Sequence, residues 1–300
     1  MRIDLHTHSD RSDGTDAPGE LIGRAVVTGV DVVALTDHDT AVGWDDARAA
    51  ATEVGVGFVP GIEISCKYGG IASGSGSTVG VHLLGYLADP EYPPLADELA
   101  RVLEGRSARL PATLERLRGL GIDITTDDVR AVSGPAEATG RPHVADALVA
   151  KGVVGSRDEA FDRFLASGRP AYVDRYAADL IETIGLVRAA GGVSVVAHPW
   201  GRHSRTALDA DDLAELKRAG LTGVEVDHPD HDQATRNELR ELAARLGLLI
   251  TGSSDFHGDG KPDCPLGANT TDPEQFEALL AAAAASSTLS RRATPAPVLP

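Results

Sequence analysis

The sequence predicts a parallel α/β barrel that is interrupted once by a helical insertion. Three observations carry that expectation. Short apolar runs alternate with helix-like stretches, nearly every run ends in a histidine or an acid, and the strand pattern stops over one long interval.

The runs cover residues 3–5, 32–35, 58–64, 79–84, 193–197, 223–226 and 248–251, the lengths of buried parallel strands. Between most of them lie stretches with apolar residues three and four apart, at 18–28, 41–54, 180–190, 210–218 and 233–246, which read as amphipathic helices. Alternation of this kind makes a parallel barrel or an open sheet. An open sheet gathers its ligand at one switch point, whereas a barrel draws functional groups from the C-terminal ends of many strands. Here the run ends carry His6 and His8, Asp37 and His38, Glu63, His82, His198, Asp227 and His228, and Asp255 with His257. The barrel is therefore preferred.

The pattern breaks between about residues 89 and 169, where 101–120, 126–132, 143–150 and 159–166 read as helices separated by Gly and Pro. The expected organisation is a discontinuous barrel at 1–90 and 170–285, a helical insertion at 91–169 and a disordered tail at 286–300. The tail is rich in Ala, Ser and Pro. The Gly- and Ser-rich segment 69–80 lacks the Gly-Lys-Ser/Thr ending of a phosphate loop and reads as a hairpin connection.

A length of 300 residues with 42% hydrophobic and 24% charged residues suits a globular protein with a sizeable core. The net charge of -17 opposes a broad grip on nucleic-acid backbone. Residues 95–175 hold 12 Lys plus Arg against 13 Asp plus Glu, so this region is near -1 while the remainder carries about -16. Relative to the barrel, the insertion is where an anionic substrate would land. Two cysteines, Cys66 and Cys264, are too few for a disulfide framework. With no apolar leader before residues 2–6 and no membrane-length apolar stretch, a cytoplasmic protein is expected.

His6 and His8 lie one residue apart at a strand end, so both imidazoles face one side and can share an ion. Alone, the pair reads equally well as two solvated histidines. Asp37-His38-Asp39 after the second run, and Asp255-x-His257 after the last, repeat the arrangement. Carboxylates among imidazoles form a mixed N/O site for Mn, Fe or Zn, with too little thiolate for a structural zinc site. Glu63 could bridge two ions or form an ordinary salt bridge. Asp13 could join the site or form a local turn, and His82 could be a ligand or a satisfied core histidine.

These residues, in this order, resemble the PHP (polymerase and histidinol phosphatase) family of metal-dependent phosphoesterases. The resemblance rests on His6-x-His8, Thr36-Asp37-His38-Asp39, Gly61-Ile62-Glu63, Ala197-His198-Pro199 and Ser254-Asp255-x-His257, and spans nearly the whole chain. It implies a distorted (β/α)7 barrel with a helical insertion. It places metal ligands at His6, His8, Asp13, His38, Glu63, His82, His198, Asp255 and His257, a set for two or three divalent ions, with Mn first and Fe or Zn as alternatives. Gly140-Arg141-Pro142-His143 is similar to the subfamily of nucleoside 3′,5′-bisphosphate phosphatases and 5′-to-3′ exoribonucleases.

The expected reaction is hydrolysis of a nucleotide phosphate monoester, with a metal-bridging hydroxide as nucleophile. Nucleoside 3′,5′-bisphosphate, AMP and short 5′-phosphorylated RNA are the candidate substrates. Arg141 and His143 would bind phosphate, and His228 and His231 would line the pocket. Trp200 could stack on a base or pack in the core, and His203 reads as a bystander. The rivals are a histidinol-phosphate or other small-metabolite phosphatase and, in another class, a non-catalytic nucleotide- or RNA-binding module. Oligomeric state is not legible.

Overall fold

The computed structural model describes residues 1–69, 78–201 and 208–300; His203 lies outside the described residues. Eight strands form one sheet: β1 (Ile3–Thr7), β2 (Val32–Leu35), β3 (Gly57–Tyr68), β4 (Val79–Tyr86), β5 (Ala178–Asp179), β6 (Val193–Val196), β7 (Gly223–Asp227) and β8 (Leu249–Gly252). Their order is β1-β2-β3-β4-β6-β7-β8, with the two-residue β5 beside β3. A bridge between Thr7 and Phe256, and a hydrogen bond from the Thr271 N–H to the Ile3 carbonyl (2.8 Å), bring the two edges together. The result is the expected seven-stranded, nearly closed barrel.

One strand departs from the parallel expectation. β4 runs antiparallel to both β3 and β6, with Ser65 opposite His82 and Leu83 opposite Val196. A parallel return needs a crossover of a dozen or more residues, and the ten residues 69–78 between β3 and β4 are too few for one, as the hairpin reading of this segment implies. Residues 70–77 of that connection lie outside the described residues. The reversal puts the beginning of β4, with His82, at the barrel end where β3 finishes. His82 therefore reaches the site without standing at a strand C-terminus.

Helices α1 (Pro18–Thr28), α2 (Trp44–Val54), α7 (Leu180–Ala189), α8 (Ala210–Ala219) and α9 (Gln233–Leu246) follow the barrel strands. They bury apolar stripes such as Leu21, Ile22 and Ala25 of α1 and Leu239, Leu242 and Ala243 of α9 against outward-facing Val33, Leu35, Phe58 and Val224. Each large side chain so buried is worth about 1.5–3 kcal/mol. Ile3, Leu5, Val59, Leu84, Tyr86 and Val195 form a second cluster, joined by Phe276, Leu279 and Ala283 of α10 (Pro273–Ser290). The buried Tyr86 hydroxyl donates to the Leu5 carbonyl at 2.7 Å, so no polar group is stranded there.

The insertion holds α3 (Pro93–Gly119), α4 (Thr126–Ser133), α5 (Arg141–Ala150), α6 (Arg157–Ala160) and a π turn at Phe161–Leu165. It has its own apolar cluster, including Leu114, Leu117, Val129, Leu148 and Leu165.

The tail differs from the sequence expectation. α10 continues to Ser290, and Val298 exchanges two backbone hydrogen bonds with Phe58, both 2.8 Å. Arg48 donates to the Ala296 carbonyl (2.6 Å), and Arg292 pairs with Asp89 while lying over the Tyr92 ring. Composition cannot reveal that the Phe58 backbone groups need partners, and residues 296–298 meet that need. Deleting residues 294–300 is expected to destabilise the protein by about 1–3 kcal/mol, measured as a lower urea midpoint against the full chain.

Candidate active site

The backbone at the site is held in costly conformations. Asp39, His198 and Asp255, each just past a strand, have φ of 61°, 28° and 53°, a region that non-glycine residues enter at a cost of order 1–3 kcal/mol. Asp39 is secured through its carboxylate, which accepts from the Ser65 N–H (2.6 Å) and from Arg106 Nε (2.6 Å). His198 is secured by its N–H donating to Glu225 Oε2 at 2.9 Å. Just before Asp255, Ser254 donates through N–H and hydroxyl to the buried Asp4 (3.0 and 2.6 Å). Burial pushes the Asp4 carboxyl up to about 6 even though Ser254 and Gly267 hydrogen bonds oppose it.

The structure brings all nine expected ligands together. His6 Nε2 lies 3.1 Å from His8 Nε2, 3.3 Å from Glu63 Oε2 and 3.4 Å from Asp255 Oδ1. His8 Nε2 lies 3.2 and 3.4 Å from the same two oxygens. Four donors about 2.0–2.1 Å from one ion would be separated by roughly 3.3 Å, so this set fits a metal. The other Glu63 oxygen faces His82 Nδ1 at 2.7 Å and His198 Nε2 at 3.2 Å, placing one carboxylate between two donor groups. Asp13 faces His257 Nε2 (3.3 Å) and His38 Nε2 (3.6 Å), and His8 Nδ1 lies 3.6 Å from it. The buried Nδ1 atoms of His38 and His82 lie 3.2 and 2.7 Å from the Glu63 oxygens without hydrogen-bond geometry, as nitrogen and oxygen donors that share an ion would.

Electrostatics agree with a site built for cations. Burial opposes ionisation of Glu63, yet His82, His38 and His6 hold its pKa well below the usual carboxylate range. Asp13 is likewise held low against burial by His38 and His257, and Asp255 by Lys261 and His257. Burial opposes charge on His8, but Asp255 and Glu63 push it up to about 10. His38 goes the other way, to about 3, because burial and nearby Arg106 outweigh Glu63 and Asp13.

Sequence reasoning missed several residues that the fold brings in. Glu225, fully buried, takes His6 Nδ1 at 3.3 Å, which directs Nε2 of that ring into the cage. Its only sequence signal is an acid inside the apolar 223–226 run. Glu225→Ala is expected to lower metal affinity about 10- to 100-fold, measured by chelator competition. Lys261 Nζ lies 2.7 Å from Asp255 Oδ2. Arg106 of α3, buried, lines a small cavity with Arg11, Ser12, Asp13, His38 and His143.

The expected substrate contacts divide. His143 lines that cavity, with Nδ1 accepting the Gly140 N–H (2.9 Å). Arg141 instead extends into the insertion, donating to the Leu165 carbonyl (3.1 Å) and lying over the Phe161 and Tyr172 rings. His228 is fully buried, and its Nδ1 accepts the Asp230 N–H (3.0 Å), so Nε2 carries the proton; it faces Asp255 Oδ2 at 3.4 Å. His231 does not line the pocket. Its Nδ1 is engaged by the Val226 carbonyl and its Nε2 by the Trp200 N–H. Trp200 packs in the core, its indole N–H donating to the Leu208 carbonyl at 2.7 Å.

A nearly closed barrel with mixed histidine and carboxylate donors converging at one end defines a metal-dependent hydrolase. The PHP domain model matches residues 4–111. A 3′,5′-nucleoside bisphosphate phosphatase of Chromobacterium violaceum is 35% identical over 86% of this chain and 88% of its own length. A 5′-3′ exoribonuclease of Haemophilus influenzae is 35% identical over 85% of this chain and 90% of its own. Among solved structures, one from Bifidobacterium adolescentis described as a metal-dependent phosphoesterase superposes with a TM-score of 0.86. It has 36% identity and covers 93% of this chain and 96% of its own. The chain belongs to the PHP domain family, and it is a metal-dependent phosphoesterase.

Proposed function

We propose that the chain removes a phosphate monoester from a nucleotide that carries a second phosphate, with nucleoside 3′,5′-bisphosphate as the best-fitting class. The observation that carries this reading is a group of four mutually repelling arginines, Arg106 and Arg109 of α3, Arg141 of α5, and Arg175, of which Arg106 reaches the cavity lined by Asp13 and His38. Burial drives the Arg109 guanidinium down to about 9, and Arg141, Arg175 and Arg106 repel it further. Burial and Arg106 bring Arg175 down to about 10, with Asp39 opposing. Arg109 is buried and pairs with no described carboxylate. Buried charge without a counter-charge is costly, and an anion delivered by the substrate offsets that cost. A second phosphate is such an anion, and guanidinium geometry suits it.

The site would hold two or three divalent ions, Mn first with Fe or Zn as alternatives, which when bound would supply positive charge for the phosphoryl oxygens and for a water nucleophile near neutral pH. The proposed holders are His6, His8, Asp13, His38, Glu63, His82, His198, Asp255 and His257. His143 and the His228 Nε2–H act as donors to substrate oxygens. Because His228 Nδ1 already accepts a backbone N–H, the ring acts as a neutral donor. A short 5′-phosphorylated RNA presents the same pair of anions and is the second reading, supported by the exoribonuclease relative. A cytoplasmic placement belongs to the same proposal and rests on the two free, buried cysteines; no described helix is long and apolar enough to cross a membrane.

The test is hydrolysis by the Mn-loaded enzyme, read as phosphate release from nucleoside 3′,5′-bisphosphate, AMP and histidinol phosphate and as mononucleotide release from a 5′-phosphorylated RNA trimer. A kcat/KM highest on the first or last supports the reading. Equal or better turnover of AMP or histidinol phosphate refutes it.

A further inference from the structure

The two oxygens of Asp255 have different surroundings. Oδ1 faces His6 Nε2 and His8 Nε2, each at 3.4 Å, whereas Oδ2 is held by Lys261 Nζ at 2.7 Å and faces His228 at 3.4 Å. Among the described residues, every other cation within ion-pair distance of Asp13, Glu63 or Asp255 is a histidine. Lys261 is thus a singular feature of the cage.

The loop that carries this lysine is fixed on two sides. Gly258 has a φ of +63°, and a Cβ there would clash with Thr15 Oγ1; a Cβ on Gly260 would clash with the Arg157 guanidinium. The Asp259 N–H donates to Thr15 Oγ1 (2.9 Å), and Arg157 itself donates to the Asp13 carbonyl (3.0 Å). Barrel and insertion therefore both press on residues 258–260, and the Lys261 side chain leaves from a backbone with little freedom.

We propose that Lys261 is a positioning residue of the metal centre: by gripping Oδ2 of Asp255 it leaves only Oδ1 to serve an ion. A carboxylate can bind through one oxygen or both, and the second contact fills a coordination position that a catalytic site keeps open for water or substrate. An ammonium group hydrogen-bonded to one oxygen biases the choice, as outer groups commonly do for ligands. The inference rests on the metal-centre reading, but not on which phosphate ester is the substrate.

The experiment compares wild type, Lys261→Met and Lys261→Arg, each loaded with Mn for metal analysis and with Co(II) for visible absorption. The intensity of Co(II) absorption falls as ligands are added, so it reports coordination independently of turnover. Lys261→Met is expected to keep its Mn content, lose Co(II) absorption intensity and lose about 10- to 100-fold in kcat; Lys261→Arg should retain the wild-type spectrum. A wild-type Co(II) spectrum in Lys261→Met overturns the proposal, even if kcat falls, because the lysine would then act other than through Asp255. Failure of the wild type to take up Mn or Co(II) would instead overturn the metal-centre reading itself.

Discussion

Glu63→Gln is expected to abolish turnover, by at least about a thousandfold in kcat, together with most of the bound metal. The reason lies in where the two carboxylate oxygens point. Oε2 faces His6 and His8, at 3.3 and 3.2 Å, while Oε1 faces His82 and His198, at 2.7 and 3.2 Å. Removing the charge therefore weakens two donor groups at once, and the amide presents an N–H2 to one of them. Six histidines among the nine donors leave Asp13, Glu63 and Asp255 as the anionic groups, so one substitution removes a third of the negative charge available to the ions. Metal analysis and kcat on the preferred substrate check the result. Full metal content with wild-type kcat would show that Glu63 is a salt-bridging residue only.

The clustering of histidines and acids was partly legible in the sequence because a strand end is a local feature, while Asp13 and His82 entered the expected set through the family resemblance. His6 and His8, or Asp255 and His257, declare themselves by one-residue spacing after an apolar run, and the spacing fixes the face on which they stand. Residues that act from the middle of an element are harder to read. Glu225 sits inside β7 and resembles an isolated polar residue in a core strand until the fold places His6 beside it. Lys261 follows the last strand by nine residues, and only the packing of residues 258–260 brings it to Asp255. The direction of β4 was legible only from its connection: apolar periodicity gives the strand and its two faces, whereas the hairpin reading of 69–80 implies the antiparallel pairing with β3 that the fold shows. The tail was misread because its order comes from hydrogen bonds to Phe58 and from Arg292, and neither leaves a periodic signal. For His231 and Trp200 the side-chain chemistry suits a pocket and a core alike, and only the fold shows that each donates or accepts in the buried interior.

Arg109→Met should raise KM for a nucleoside 3′,5′-bisphosphate by about 10- to 100-fold, the value of a charged hydrogen bond at 1.5–3 kcal/mol. Selectivity over AMP should collapse in step, since a substrate with one phosphate gives this guanidinium no partner. The same substitution should stabilise the unliganded protein by about 1 kcal/mol or more. The buried side chain lies among Arg106, Arg141 and Arg175, which repel it, and Met fills a similar volume without charge. Arg106 provides the contrast within the same helix. It is equally buried, but it donates to Asp39 Oδ2 at 2.6 Å and to Ser65 Oγ at 2.7 Å, so Arg106→Met strands a buried carboxylate and should destabilise the fold by about 3–5 kcal/mol. Opposite signs from two arginines one helical turn apart separate a binding group from a structural one. Chemical denaturation and KM on the two substrates provide the measurements. If Arg109→Met leaves KM and selectivity unchanged, the arginine group is not where the second phosphate binds.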